Sequence, residues 1–189
     1  MNIIAIDPGP EHSGLVCFDG KRILQHAVFP NPDLLESLRA YCAAKIDRFV
    51  VVEMVASYGM PAGADLFQTA FFAGRCAQVA AAAGVPWRQL YRIDVKRAIC
   101  RDTRAKDGNI RQALIDRFGK PGTKKGPGAT YGLAGDEWQA FGLAVTAFDL
   151  MNKELPFDRP PLAAVPRRDP APDRLMAPGL TPGPQISTP

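Results

Sequence analysis

Two short apolar runs that each stop on a carboxylate constrain this chain more than any other feature. The first is Asn2-Ile3-Ile4-Ala5-Ile6-Asp7, followed by Pro8-Gly9, and the second is Arg48-Phe49-Val50-Val51-Val52-Glu53. Runs this short and continuously apolar read as strands covered on both faces. The Pro-Gly break sets Asp7 at a strand end, on the lip of a turn. Glu53 either ends its strand or lies buried beside a cation or metal, because a carboxylate in so apolar a strand needs a compensating charge. An Asp before Pro-Gly is also an ordinary turn cap, so Asp7 alone decides nothing. Two strand-end carboxylates call for a joint explanation.

The rest of the chain builds an α/β protein around these strands. His12 to Phe18 reads as a second strand ending in the Asp19-Gly20 turn, and Lys21 to Phe29 as a third, so the first three strands form an antiparallel meander. Asn31-Pro32-Asp33 opens a helix with Leu34, Leu35, Leu38, Tyr41 and Cys42 on one side and Glu36, Arg39 and Lys45 off it. Ser57 to Ala64 reads as a loop, Asp65 to Ala83 as an alanine-rich helix closed by Gly84, and Val85 to Tyr91 as a further strand. Asp94 starts a short helix, and Lys106 to Phe118 forms a longer one that Gly119 ends. Residues 120–135 hold five glycines, two prolines and three lysines, which predicts a mobile basic loop and not a packed element. Gly135 to Val145 reads as a buried helix whose first turn carries Asp136 and Glu137, where acidic side chains suit the helix dipole. Ten of the eighteen prolines fall in the last 35 residues. Such a composition builds no core, so the expected division is a folded domain over 1–154 and a disordered tail over 155–189.

Charge is unevenly placed. Residues 88–125 hold twelve Lys or Arg against four Asp, a local balance of +8 in a chain whose net charge is +4. A basic block in an otherwise acidic protein is the electrostatic footprint of a nucleic-acid binder, with a solvated helix face as the alternative. Arg97, Arg101, Arg104, Lys124 and Lys125 are its candidate DNA contacts. No apolar segment reaches the ~20 residues of a membrane helix and no basic leader precedes a cleavage site, so a cytoplasmic protein with no membrane partner is expected. Cys17, Cys42, Cys76 and Cys100 are widely spaced and form neither a zinc motif nor a disulfide framework.

Asp7, Glu53 and Asp136 are therefore three separated carboxylates at element ends in a protein with a basic block. Carboxylate oxygens suit hard Mg²⁺ or Mn²⁺, and two such ions would activate water and stabilise the leaving oxygen of a phosphodiester. No small-molecule cofactor is indicated.

Taken in order, Ile4-Ala5-Ile6-Asp7-Pro8-Gly9 with Ser13-Gly14, Val51-Val52-Glu53, Asp94-Val95-Lys96-Arg97-Ala98-Ile99 leading to Arg104-Ala105-Lys106-Asp107, and Asp136 in a small-residue helix resemble the RuvC-type Holliday-junction resolvases of the RNase H-like nuclease superfamily. The resemblance spans residues 2 to about 150. It implies a mixed five-stranded sheet, three antiparallel strands first, flanked by helices, with Mg²⁺-dependent cleavage of four-way DNA junctions by a homodimer. On this resemblance Asp7, Glu53 and Asp136 are the metal ligands, and Lys96 and Lys106 are the basic residues near the scissile phosphate. A second acidic residue often stands three after the position of Asp136. Here that place holds Gln139, so Gln139 or Glu137 is the candidate further ligand. Tyr58 is the candidate aromatic for opening the junction.

Two other readings stay open: a junction-binding module that no longer cuts, and a related nuclease acting on RNA or branched forks. Actin-like ATPases also begin with Asp-x-Gly before a hairpin, but 150 residues leave no room for their second lobe. The homodimer is expected on the helix 65–83, where Ala70, Ala73, Ala77, Ala80 and Ala81 share one side. The opposite side interleaves Phe71, Phe72 and Val79 with Gln68, Arg75 and Gln78, a composition suited to an interface unless another helix of the same chain covers it.

Overall fold

The computed structural model describes residues 1–44, 46–57, 59 and 61–152. Lys45, Tyr58 and the Pro-rich segment 155–189 lie outside the described residues. Strand β1 (Asn2–Asp7) pairs antiparallel with β2 (His12–Phe18), which pairs antiparallel with β3 (Ile23–Pro30). Helix α1 (Asn31–Ala43) leads into β4 (Arg48–Met54), parallel to β1, and α2 (Ala64–Ala82) into β5 (Trp87–Tyr91), parallel to β4. The sheet order β3-β2-β1-β4-β5 is the expected mixed five-stranded arrangement. Helices α3 (Arg92–Cys100), α4 (Asp107–Phe118) and α5 (Asp136–Asn152) follow.

Alternation along the central strands divides the core into two layers. Ile4, Ile6, Val50 and Val52 face α1 and α2, packing with Leu34, Leu38, Phe72, Ala73 and Cys76. Ile3, Ala5, Phe49 and Val51 face the other way, against Val95, Ile110, Leu114 and the apolar length of α5. Because neighbouring residues on a strand point to opposite faces, Asp7 and Glu53 continue the second set and point toward α3, α4 and α5. Phe18 anchors this layer, with edge-on contacts to Phe118, Phe141 and Phe148 at centroid distances of 5.7, 5.6 and 5.7 Å.

Three expectations need correction. Phe72 is 3% exposed and belongs to the chain's own core, so it is no interface residue. Adjacent helical positions lie 100° apart, and the sheet takes Phe72 while Phe71 stays 71% exposed. Val79 is likewise partly buried against the same layer, whereas Arg75 is exposed. The segment 120–135 is not a structureless loop: β6 (Gly122–Thr123) and β7 (Gly126–Pro127) form a small antiparallel ribbon, with Lys124 and Lys125 at its tip. Its glycines make this possible, since a Cβ at Gly122 would sit 2.4 Å from the Gly126 carbonyl oxygen. Finally, α3 begins at Arg92, two residues before Asp94, whose carboxylate accepts the Tyr91 amide at 2.9 Å and caps the helix. Among the described residues no helix is long and apolar enough to cross a membrane.

Candidate functional site

The site lies where the C-terminal ends of β1, β4 and β5 meet the first turns of α4 and α5. The β1/β4 register pairs Ile6 with Val52, so the next step of the ladder sets Asp7 beside Glu53. The β4/β5 register ends at Met54 and Tyr91, and the residue that follows, Arg92, falls next to the same strand end. The turn after Asp7 is tied down. The Ser13 hydroxyl accepts the Gly9 amide at 3.1 Å and donates to Asn31 Oδ1 at 2.6 Å, while Asn31 donates to the Gly9 and Pro10 carbonyls. Asp136 arrives through Gly14, the partner of Asp7 across the β1/β2 ladder. A Cβ at Gly14 would lie 2.7 Å from the Asp136 carbonyl oxygen, so glycine there lets the start of α5 settle on the sheet next to Asp7.

Two further charged residues join the three expected carboxylates. Asp107, in the first turn of α4, accepts a hydrogen bond from Arg92 at 2.7 Å. Arg92 also donates to Gln139 Oε1 and lies 3.6 Å from Glu53 Oε2. Sequence reasoning assigned neither residue to the site, because inside the basic block Arg92 counts as one charge among many and Asp107 as a helix-start aspartate. The signal lay in β5: whatever follows a third parallel strand must land at the shared strand end.

The electrostatics are those of crowded negative charge. Burial, then the Glu53 and Asp136 carboxylates, push the Asp7 carboxyl up to about 8, against a smaller opposing pull from Arg92. Burial pushes Glu53 up to about 7, opposed by Arg92 and Lys96 and assisted by Asp107. Glu53 is 8% exposed, and its Oε2 atom has no hydrogen-bond partner among the described residues. A divalent cation would relieve this repulsion and use that orphaned oxygen, so the donor set suits hard Mg²⁺ or Mn²⁺. Among the described residues no three His, Cys, Asp or Glu side chains already converge as a ligand cage.

The other candidates are placed as follows. Lys96 faces the site closely enough to act on Glu53. Lys106 is exposed at the N-cap of α4, one residue before Asp107, its backbone amide held by Asn109 at 2.9 Å. Arg97, Arg101, Arg104, Lys124 and Lys125 are all exposed, and Arg101 sits in the left-handed region with φ 55° where α3 ends. Gln139 has its amide oxygen committed to Arg92. Glu137 is engaged elsewhere: one oxygen meets His26 Nδ1 at 2.9 Å, and the other accepts the Ala134 amide at 2.8 Å, fixing the start of α5. Beside the carboxylates, Asp107, Gly108, Ile110, Arg111, Gly135, Trp138 and Gln139 line a groove of about 240 Å³, with the Arg111 guanidinium 4.8 Å over the Trp138 ring. Of the expected interface, Phe71 and Arg75 remain exposed on α2. Phe67, one turn earlier and 64% exposed, extends that stripe and was not singled out from sequence.

No family model matches the chain, and no curated protein does. Solved structures do share its fold. Thermus thermophilus RuvC matches with a TM-score of 0.58 at 22% identity, over 81% of this chain and 97% of that one. T. thermophilus RuvC in complex with Holliday junction substrate matches with a TM-score of 0.56 at 21% identity, over 80% and 96%. The chain has the RuvC fold, an RNase H-like mixed sheet with helices on both faces.

Proposed function

We propose that this chain is a divalent-metal-dependent endonuclease that cuts four-way DNA junctions. The observation that supports the reading is the pairing of Asp7 with Glu53 at adjacent strand ends of a RuvC fold, close enough to raise the Asp7 carboxyl, with Asp136 also acting on Asp7. In this reading Asp7, Glu53 and Asp136 hold the cation. When bound, it would polarise a phosphodiester and lower the pKa of an attacking water. The chain's own residues do the rest. Lys96 beside Glu53 and Lys106 at the start of α4 bind phosphate near the scissile bond, and the exposed Arg97, Arg101 and Arg104 with the Lys124-Lys125 tip track the backbone beyond it. Asp7 and Glu53 would have to give up their protons to hold it, so loading would grow with pH through the neutral range.

A branched substrate with two equivalent strands calls for two sites in fixed relation, which a C2 dimer supplies. The Phe67-Phe71 stripe with Arg75 is the surface for it, because two aromatics one turn apart are costly to leave in water. The reading is tested with synthetic four-way junction, linear duplex and RNA hairpin, each with and without Mg²⁺. Mg²⁺-dependent cutting of the junction alone is expected, and Asp7→Asn should abolish it while binding persists. Junction binding without any cutting would leave a recognition module, and preferred cutting of the hairpin would move the substrate to RNA.

A further inference from the structure

Arg92 is the first residue of α3, and its guanidinium spans three elements. It donates to Asp107 Oδ1 on α4 at 2.7 Å and to Gln139 Oε1 on α5, and it lies 3.6 Å from Glu53 Oε2 on β4. The side chain is 17% exposed, and neither Nη1 nor the facing Glu53 oxygen has a hydrogen-bond partner among the described residues. A planar fork pinned by two acceptors and set against a third carboxylate is fixed in place in a way a lysine would not be. Its charge also reaches Asp7, whose carboxyl it pulls down against the larger upward push of burial and of the neighbouring carboxylates.

The geometry points to Arg92 as a built-in cation of the carboxylate site. Its guanidinium holds the position among Glu53, Asp107 and Gln139 that a second divalent ion would otherwise take, so each chain loads one ion through Asp7, Glu53 and Asp136. This rests on the metal-dependent reading of the site and deepens it. Two features support the assignment. A second divalent ion close to a fixed guanidinium would meet direct repulsion, and two of the acceptors that could draw it there, Asp107 Oδ1 and Gln139 Oε1, already take hydrogen bonds from the arginine. Gln139 supplies an acceptor without charge, which is enough to orient a guanidinium and too little to attract a second hard cation. An arginine that merely fastens helices together would have no bearing on how many ions the site takes.

The test is the number and coupling of bound Mn²⁺ ions, measured on the full chain by titration calorimetry and electron paramagnetic resonance. The wild type should bind one ion per chain with the spectrum of an isolated ion, and Gln139→Asp alone should do the same because Arg92 remains. Arg92→Gln combined with Gln139→Asp should bind two ions with an exchange-coupled spectrum, circular dichroism first showing that the variant is folded. Two ions in the wild type, or a single ion in the folded double variant, would overturn the proposal. Should the double variant not fold, Arg92→Ala combined with Gln139→Asp takes its place in the same count. The readings fail separately: a wild type that takes two ions and cuts junctions keeps the nuclease, while one that takes one ion and cuts no nucleic acid keeps only the site. A wild type that binds no Mn²⁺ overturns both.

Discussion

Replacing Asp7 by Asn should make the metal-free protein more stable, and increasingly so as pH rises from 4 to 8. Asp7 ionises near 3.8 when free and near 8 in the fold. The folded state therefore keeps this proton over a range in which the unfolded chain has lost it. Its contribution to stability is undiminished below about pH 4 and falls steadily as pH climbs to 8. For an isolated buried group a rise of this size corresponds to about 5 kcal/mol. Asp7 is partly exposed and its charge is tied to that of Glu53, so about 2 kcal/mol is the reasonable share. Asparagine has the shape of the protonated carboxyl and escapes that loss. In EDTA, thermal denaturation followed by circular dichroism should give Asp7→Asn a melting temperature about 4 to 8 °C above wild type at pH 8, and no gain at pH 4. Mg²⁺ should then raise the wild type more than the variant, because binding discharges the repulsion that Asp7 creates. A variant that melts below wild type at pH 8 in EDTA would refute the reasoning, as would a gap that does not change with pH.

Lys96→Ala and Lys106→Ala should each lower the slope of log affinity against log salt by about one for junction DNA, and slopes unchanged in both would place these lysines off the phosphates. Phe72→Ala should cost about 3 to 5 kcal/mol in denaturant unfolding, whereas Phe71→Ala should leave monomer stability within about 0.5 kcal/mol, since only Phe72 is in the core. Phe71→Glu should convert a dimer to a folded monomer in sedimentation, and a wild type already monomeric at micromolar concentration would remove the dimer from the proposal. A chain ending at residue 154 should keep the full-length melting temperature to within a degree or two, and a large drop would show that 155–189 docks on the domain.

What could be read in advance and what could not follow from where each kind of information is stored. Asp7 and Glu53 were legible because a strand end is written locally: an apolar run, then a break, then a carboxylate with nowhere apolar to go. The antiparallel start of the sheet was legible for the same reason, three short segments with turn signals, whereas the mixed five-stranded arrangement was expected from the resemblance. Arg92, Asp107 and Gln139 meet only after β5 has paired with β4 and the N-termini of α4 and α5 have come to rest on one strand end, so their hydrogen bonds leave no trace in local pattern. Phe71 and Phe72 show the same limit in one helix. Both are large and apolar, and only the docking of α2 on β4 decides which is covered. Yet the missing step was short. Once β4 and β5 are taken as parallel neighbours, the first residue after β5 must fall beside Glu53, and a buried glutamate in that position demands the cation that Arg92 provides. Gln139 follows in turn: beside an arginine that donates to Asp107 and faces Glu53, the third contact needs an acceptor but no further charge. The departure from an acidic residue at 139 is thus better understood as the counterpart of Arg92 than as the loss of a ligand.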